Sequence, residues 1–224
     1  MSEGDTGIKT YVLRQGRITD AQRRALEGEG ASLLVEFEGR PFDWTELFGD
    51  DRPVVMEIGF GMGLATWQIA AARPELNFLG IEVHRPGVGR LLLDLLGHGI
   101  RNVRIVNHDA VEVMEKSVPP ASLSGIHLFY PDPWPKKRHH KRRLVRPGLT
   151  DLMASRLVPG GYLYFVTDIE DYADAALETL ASTPGLRNAY QGFAERQTWR
   201  PETKFEAKAG SEGRSRRELF FEKI

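Results

Sequence analysis

The sequence predicts an α/β fold: a doubly wound, mostly parallel seven-stranded sheet with an antiparallel C-terminal edge strand. Two observations carry this. From Pro53 onward, short apolar, β-branched runs alternate with helical patterns, as in a parallel sheet covered on both faces. Near the C-terminus the alternation stops, and two extended stretches, Leu186 to Phe193 and Arg217 to Phe221, have no strong helix between them. They read as an antiparallel pair.

The elements follow in order. Thr19 is a plausible N-cap for a helix through Leu26, stopped by Gly28 and Gly30. A lead-in through Trp44 and Phe48 is expected to pack under the sheet. Val54 to Ile58 is the first strand of the regular alternation, and a helix from Leu64 to Ala72 closes at Pro74. Phe78 to Ile81, Val103 to Val106, Gly125 to Phe129 and Gly161 to Val166 continue the strands. Helices from Val88 to Leu96, Ala110 to Lys116, Gly148 to Leu157 and Tyr172 to Leu180 continue the coverings. Residues 1–50 therefore read as a tail with lead-in helices, loose as far as Thr10, and 51–224 as the main domain.

The bulk numbers narrow the function classes. The 224 residues suit one domain with small additions, and no cysteine is present, which removes disulfides, thiol nucleophiles and Cys-based zinc sites. Absence of cysteine fits a reducing cytosol. No basic and apolar leader opens the chain, and no apolar run approaches a membrane span, so a cytoplasmic protein without a membrane partner is expected. His84, His108 and His127 lack zinc-site spacing, so no metal is expected. Nothing in the sequence sets an oligomeric state. The net charge of −1 hides a local asymmetry: no acid occurs between Lys136 and Arg146.

In an open parallel sheet, ligands bind beyond the carboxyl ends of the strands. The residues there are Glu57, Glu82, Asp109, Asp132 and Asp168, all acids. The turn after the Val54–Ile58 strand reads Gly59-Phe60-Gly61-Met62-Gly63. A dinucleotide fingerprint would place its third glycine at position 64, which is Leu. Acids around a glycine turn suit a ligand with positive charge and ribose hydroxyls, such as S-adenosylmethionine. Glu82 would accept the ribose hydroxyls, Asp109 the adenine amino group, and Glu57 would orient the turn and the amino-acid end. Helix capping is the alternative for any one acid; the recurrence after successive strands favours the ligand.

The blocks Met56 to Gly63, Gly80 to His84, Phe129 to Arg143 (with Pro131-Asp132-Pro133-Trp134), Thr167-Asp168 and Arg200 to Glu206, preceded by Arg14 to Arg17, together resemble the bacterial tRNA (guanine-N7)-methyltransferase family. The similarity covers nearly the whole chain after its first ten residues. It implies a Rossmann-like methyltransferase fold, S-adenosylmethionine as cofactor and tRNA as partner. It implies methyl transfer to N7 of a guanine in the variable loop, at position 46; the alternatives are a methyltransferase acting on another RNA base or a small molecule, and a non-catalytic RNA-binding module of the same fold. Cofactor contacts would be Glu57, Gly59, Gly61, Glu82, Asp109 and Asp132, with Asp132 catalytic. Substrate contacts would be Lys136, Asp168, Thr203, Lys204, Phe205 and Glu206. Arg138, His139, His140, Lys141, Arg142 and Arg143 would touch RNA. Two places depart from the family pattern: Ile169, where an aromatic residue is usual, and the run from Ala207 to Arg217.

Chemistry agrees with that assignment. N7 of guanine carries an in-plane lone pair and no proton, so attack needs no general base. A carboxylate held by a stiff Pro-Asp-Pro turn can balance the charge that reaches the ring. Trp134 is expected to stack on the base.

Overall fold

The computed structural model describes residues 9–12, 16–202 and 215–224. Its centre is an eight-stranded sheet. The strands are β1 (Leu34–Val35), β2 (Val54–Ile58), β3 (Asn77–Ile81), β4 (Val103–Val106), β5 (Leu123–Phe129), β6 (Leu157–Thr167), β7 (Leu186–Asn188) and β8 (Arg217–Lys223). Their spatial order is β1-β4-β3-β2-β5-β6-β8-β7. Strands β1 to β6 pair in parallel, and β8 runs antiparallel to both β6 and β7. The expected sheet is present with two refinements. The two-residue β1 adds an eighth strand, too short to leave a periodic signal. The C-terminal strand is inserted between β6 and β7, so β7 forms the edge.

Helices α1 (Asp20–Glu27), α3 (Leu64–Ala72) and α4 (Arg85–Gly97) cover one face, and α5 (Ala110–Lys116), α6 (Leu149–Arg156) and α7 (Glu170–Ala181) the other. A short α2 (Trp44–Phe48) packs Phe48 into the second core. Strands β2 and β3 are buried along their whole length, as two-sided coverage requires.

The lead-in is part of this architecture. Thr19 and Gln22 form a reciprocal capping box at the start of α1. The Gln22 amide then donates to the Pro86 carbonyl (3.0 Å) inside the interface with α4. Thr10, read from sequence as loose, is 8% exposed. Its carbonyl accepts from the Trp134 indole.

The strand order fixes where a ligand site can form. The chain runs outward from β2 through β3 to β4, then returns to place β5 on the other side of β2. The crevice between β2 and β5 is the topological switch point. The loops that open it are Gly59–Gly63 and Tyr130–Pro135.

Candidate active site

A cleft of about 610 Å³ lies at that switch point, of a size suited to a small-molecule ligand. Gly59, Gly61 and Glu82 line one wall, Tyr130 to Pro135 the other, and Thr10 to Val12 run along the rim.

The glycine wall is built by backbone stereochemistry. Gly59, Gly61 and Gly63 all have positive φ (73°, 60° and 76°), a region that side chains disfavour. Helix α4 presses against the turn at Gly87, where an added Cβ would lie 2.0 Å from the Gly61 carbonyl oxygen. Glu82 ties the wall together: one carboxylate oxygen accepts from Gly61 N–H (2.8 Å), the other from Val83 and His84 N–H (2.8 and 2.9 Å). Asp109 caps α5, with Oδ1 accepting from Val111 and Glu112 N–H. The capping role considered for these acids is therefore real for Asp109. Both of its bonds fall on one oxygen, which is compatible with a ligand on the other.

Glu57 is the most unusual acid. It is 3% exposed, and its Oε2 has no hydrogen-bond partner among the described residues. Burial, with Glu82 nearby adding to it, pushes its carboxyl up to about 7, while the Thr66 hydroxyl pulls the other way. Glu57 lies beneath the glycine turn, just behind the residues that line the cleft. The residues present fit S-adenosylmethionine: a crevice kept open by glycine, the carboxylates of Glu82 and Asp132 lining it, and behind the turn the unpartnered, buried Oε2 of Glu57.

The opposite wall carries Asp132, which is exposed to the cleft. On either side of the Pro131-Asp132-Pro133 turn, Tyr130 and Trp134 adopt positive φ (51° and 46°), unusual for such bulky residues. Strain of this kind persists only where surroundings over-determine the backbone. Tyr130 N–H donates to the Val166 carbonyl (2.8 Å), and Trp134 Nε1 donates to Thr10. One face of Trp134 is covered by the Arg142 guanidinium, 3.7 Å from the ring centre. Stacking on a base, expected from sequence, is thus limited in this arrangement to what the other face allows.

The basic segment divides into two classes. Lys136, Lys137, Arg138 and Lys141 are exposed, on or beside the 3₁₀ turn Lys137–Arg142. His139 sits among them, and desolvation followed by Arg138 and Lys136 lowers its pKa. Arg142 is engaged: Nε donates to the Lys9 carbonyl (2.7 Å) and Nη2 to the Tyr11 carbonyl (2.8 Å). Arg143 is 3% exposed and turned inward. It has no solvent face from which to meet a phosphate, so its expected place on the RNA surface is not what this arrangement gives it.

Asp168 stands at the end of β6, one strand beyond the cleft, just before α7. Arg14 and the substrate segment Thr203, Lys204, Phe205 and Glu206 lie outside the described residues. What sequence reasoning missed is a buried cluster built on Arg200, a few residues earlier in the chain. Arg200, 1% exposed, donates to Tyr164 Oη (3.0 Å) and to Glu218 (3.0 Å), and Glu218 also accepts from Tyr164. His127 lies in the same layer, stacked on Trp199 and bonded to Tyr162 Oη, and burial lowers its pKa to about 3. Glycines inside the α4 pattern, at 87 and 89, were the available signal for the close approach there. The Arg200 cluster leaves none, because its partners are 36 and 18 residues away. Among the described residues no group of three His, Asp or Glu is placed to hold a metal, and no helix is long and apolar enough to cross a membrane.

Residues 51–219 match the family model described as "Putative methyltransferase". The tRNA (guanine-N(7)-)-methyltransferase of Bordetella pertussis is 50% identical over 222 residues, covering 99% of this chain and 87% of its own. The enzyme of the same name from Paraburkholderia xenovorans is 47% identical, covering 96% and 83%. This chain belongs to the tRNA (guanine-N7)-methyltransferase family. Among solved structures, the 16S rRNA methyltransferase KamB shares the fold with a TM-score of 0.59 at 15% identity, covering 81% of this chain and 93% of that one. A 16S rRNA (adenine(1408)-N(1))-methyltransferase variant from Catenulisporales acidiphilia, solved with S-adenosylmethionine, gives 0.54 at 15% identity, covering 81% and 90%. Both likenesses concern the fold. Family and fold agree with the cleft in making S-adenosylmethionine the methyl donor.

Proposed function

We propose that this protein transfers the methyl group of S-adenosylmethionine to N7 of a guanine in tRNA, in the variable loop at position 46. The observation that carries the reading is the pairing of two walls across one switch-point cleft. A glycine wall carrying the Glu82 carboxylate faces the turn that carries Asp132, and a basic surface adjoins that turn. Identity of 47% and 50% to enzymes of that name, over 96% and 99% of this chain, supports the substrate.

When bound, S-adenosylmethionine supplies an electrophilic methyl on a sulfonium. Glu57 holds the cationic amino-acid end, directly or through water. Gly59 and Gly61 leave room for it, Glu82 accepts from the ribose and Asp109 from the adenine amino group. Asp132 touches both reactants: it accepts from the guanine edge and balances the charge that reaches the ring as N7 gains methyl. No residue has to remove a proton before attack. The protein's work is alignment, and alignment of two reactants can supply roughly 7–11 kcal/mol of a barrier. Lys136, Asp168 and Thr203 to Glu206 complete the guanine site. Arg138, His139, His140 and Lys141 meet the RNA backbone. Arg142 joins them where the RNA displaces the Lys9–Tyr11 segment. A stacked guanine has to leave its neighbours to enter such a cleft. Residues 51–224 form the methyltransferase domain and 1–50 a lead-in whose α1 packs on α4 and whose β1 pairs with β4, and the protein works in the cytoplasm, without membrane or metal.

The test is incubation with an unmodified tRNA transcript and labelled S-adenosylmethionine, then digestion and mass spectrometry. Methyl on N7 of a variable-loop guanine is expected. Methyl on another base, or none, overturns the proposal.

A further inference from the structure

Arg143 follows the basic turn directly and has the charge of an RNA contact, yet it is buried. Its backbone N–H closes the turn on His140 (2.9 Å). Its Nε donates to the carbonyl of Pro133 (2.9 Å), the residue after Asp132. Its Nη2 donates to Asp171 Oδ2 (2.5 Å) in the first turn of α7, and its guanidinium lies 4.6 Å from the centre of the Tyr172 ring. Tyr172 in turn accepts from Val145 N–H (3.2 Å). The Asp171 carboxyl is held below its usual range by Arg143, so the pair is charged on both sides. Asp168 lies three residues before Asp171.

We propose that Arg143 is a positioning residue: its planar fork braces the Pro131–Pro133 turn against α7 and so sets Asp132 relative to the Asp168 loop. The inference rests on the reading of Asp132 as the group that meets the guanine. Two strained residues, Tyr130 and Trp134, flank that turn, and the Trp134 indole donates to the lead-in at Thr10. The Pro133 carbonyl lies between them, and Arg143 donates to it from the far side of the basic turn. A guanidinium can serve a carbonyl and a carboxylate at once in a fixed plane; an ammonium on a flexible stem does not reproduce that geometry.

This separates the proposal from a phosphate contact, which a lysine also makes. In R143K, kcat should fall about 100-fold, the scale expected of a misplacement of about 1 Å. The Kd for tRNA and its salt dependence should stay within about twofold. D171N removes the charge of the exposed partner and should lower kcat roughly tenfold. Retained kcat in both variants overturns the proposal, as does a weakened Kd with a shallower salt slope at normal kcat.

A second readout needs no tRNA. In protein carrying 5-fluorotryptophan, the Trp134 ¹⁹F resonance, assigned with W134F, should shift or broaden in R143K and D171N, while those of Trp67 and Trp199 stay. An unmoved Trp134 signal in both variants overturns the bracing. If R143K fails to fold, all tryptophan signals collapse and D171N decides. If the unaltered protein methylates no tRNA but Trp134 responds, the functional reading fails and the bracing stands.

Discussion

The turn after β2 is held by its own backbone and by buried carboxylates, whereas the turn after β5 is held by arginines reaching in from the segment that follows it. On the first wall, three positive-φ glycines, the Gly87 contact and the three N–H bonds of Glu82 fix the shape before any ligand arrives. On the second, Asp132 sits on a strained turn whose neighbours are fastened by Arg142 and Arg143. On the proposed reading the first wall serves binding and the second alignment. Damage to the first should appear mainly in cofactor affinity and stability, and damage to the second mainly in rate.

The sharpest break is expected at Asp132. Asp132→Asn keeps size and most hydrogen bonding but removes the charge proposed to balance the alkylated guanine. We expect kcat to fall about 10²–10³-fold, the loss typical of removing one electrostatic contact to a transition state. Binding of tRNA should persist. Near-normal turnover measured with saturating tRNA would sink the assignment.

Behind the glycine wall, Glu57 tests whether a buried acid contributes to the affinity of the site. Its folded pKa, about 7, lies above the ordinary 4.5. The folded state therefore binds more protons than the unfolded one between those values, and stability falls as pH rises from about 4.5 through 7. The gap corresponds to about 3 kcal/mol. Glu57→Gln should thus raise the melting temperature of the ligand-free protein at pH 8 and change it little at pH 5, while weakening S-adenosylmethionine. Equal effects at both pH values would show that the carboxyl is ionised throughout.

A smaller effect is expected at Gly87. Its added Cβ would meet backbone, which cannot swing aside, so either α4 or the glycine turn has to move. Overpacking of this kind costs about 1–3 kcal/mol. Gly87→Ala should lower both the melting temperature and, roughly tenfold, the affinity for S-adenosylmethionine measured by calorimetry. With kcat unchanged at saturating cofactor, the comparison between the walls is sharpened; a fall in kcat instead would blur it.

These two walls also differ in how much of them the sequence discloses. Glycine spacing and strand-end acids are local signals, set by turn stereochemistry and by where strands stop, so the Gly59–Gly63 turn and Glu82 are readable in a single pass. The boundaries of β2, β4, α3 and α5 are recovered to the residue for the same reason. Arg142 and Arg143 are adjacent and identical, and nothing in a run of cations tells which one turns inward. That is settled by Asp171 and the Pro133 carbonyl, 28 and 10 residues away. Thr10 and Tyr11 were unreadable as a cleft wall because their partners lie more than a hundred residues on. A two-residue β1 has no period to detect.

The mildest test compares the two kinds of cation within one segment. Arg138 and Lys141 are exposed on the turn Lys137–Arg142, while Arg143 is buried one residue past its end. If the exposed pair meets phosphate, each contact contributes close to one counterion to the salt dependence of binding. Arg138→Gln with Lys141→Gln should weaken tRNA roughly tenfold at moderate salt and reduce the slope of log K against log salt by about 1.5–2. Turnover at saturating tRNA should change less than about threefold, because neither side chain holds the Asp132 turn. Titrating tRNA at several salt concentrations, with parallel single-turnover rates, checks both halves. A normal slope with a depressed rate would place these cations among the supports of the turn, and the division of the segment into a binding surface and a buried brace would fail.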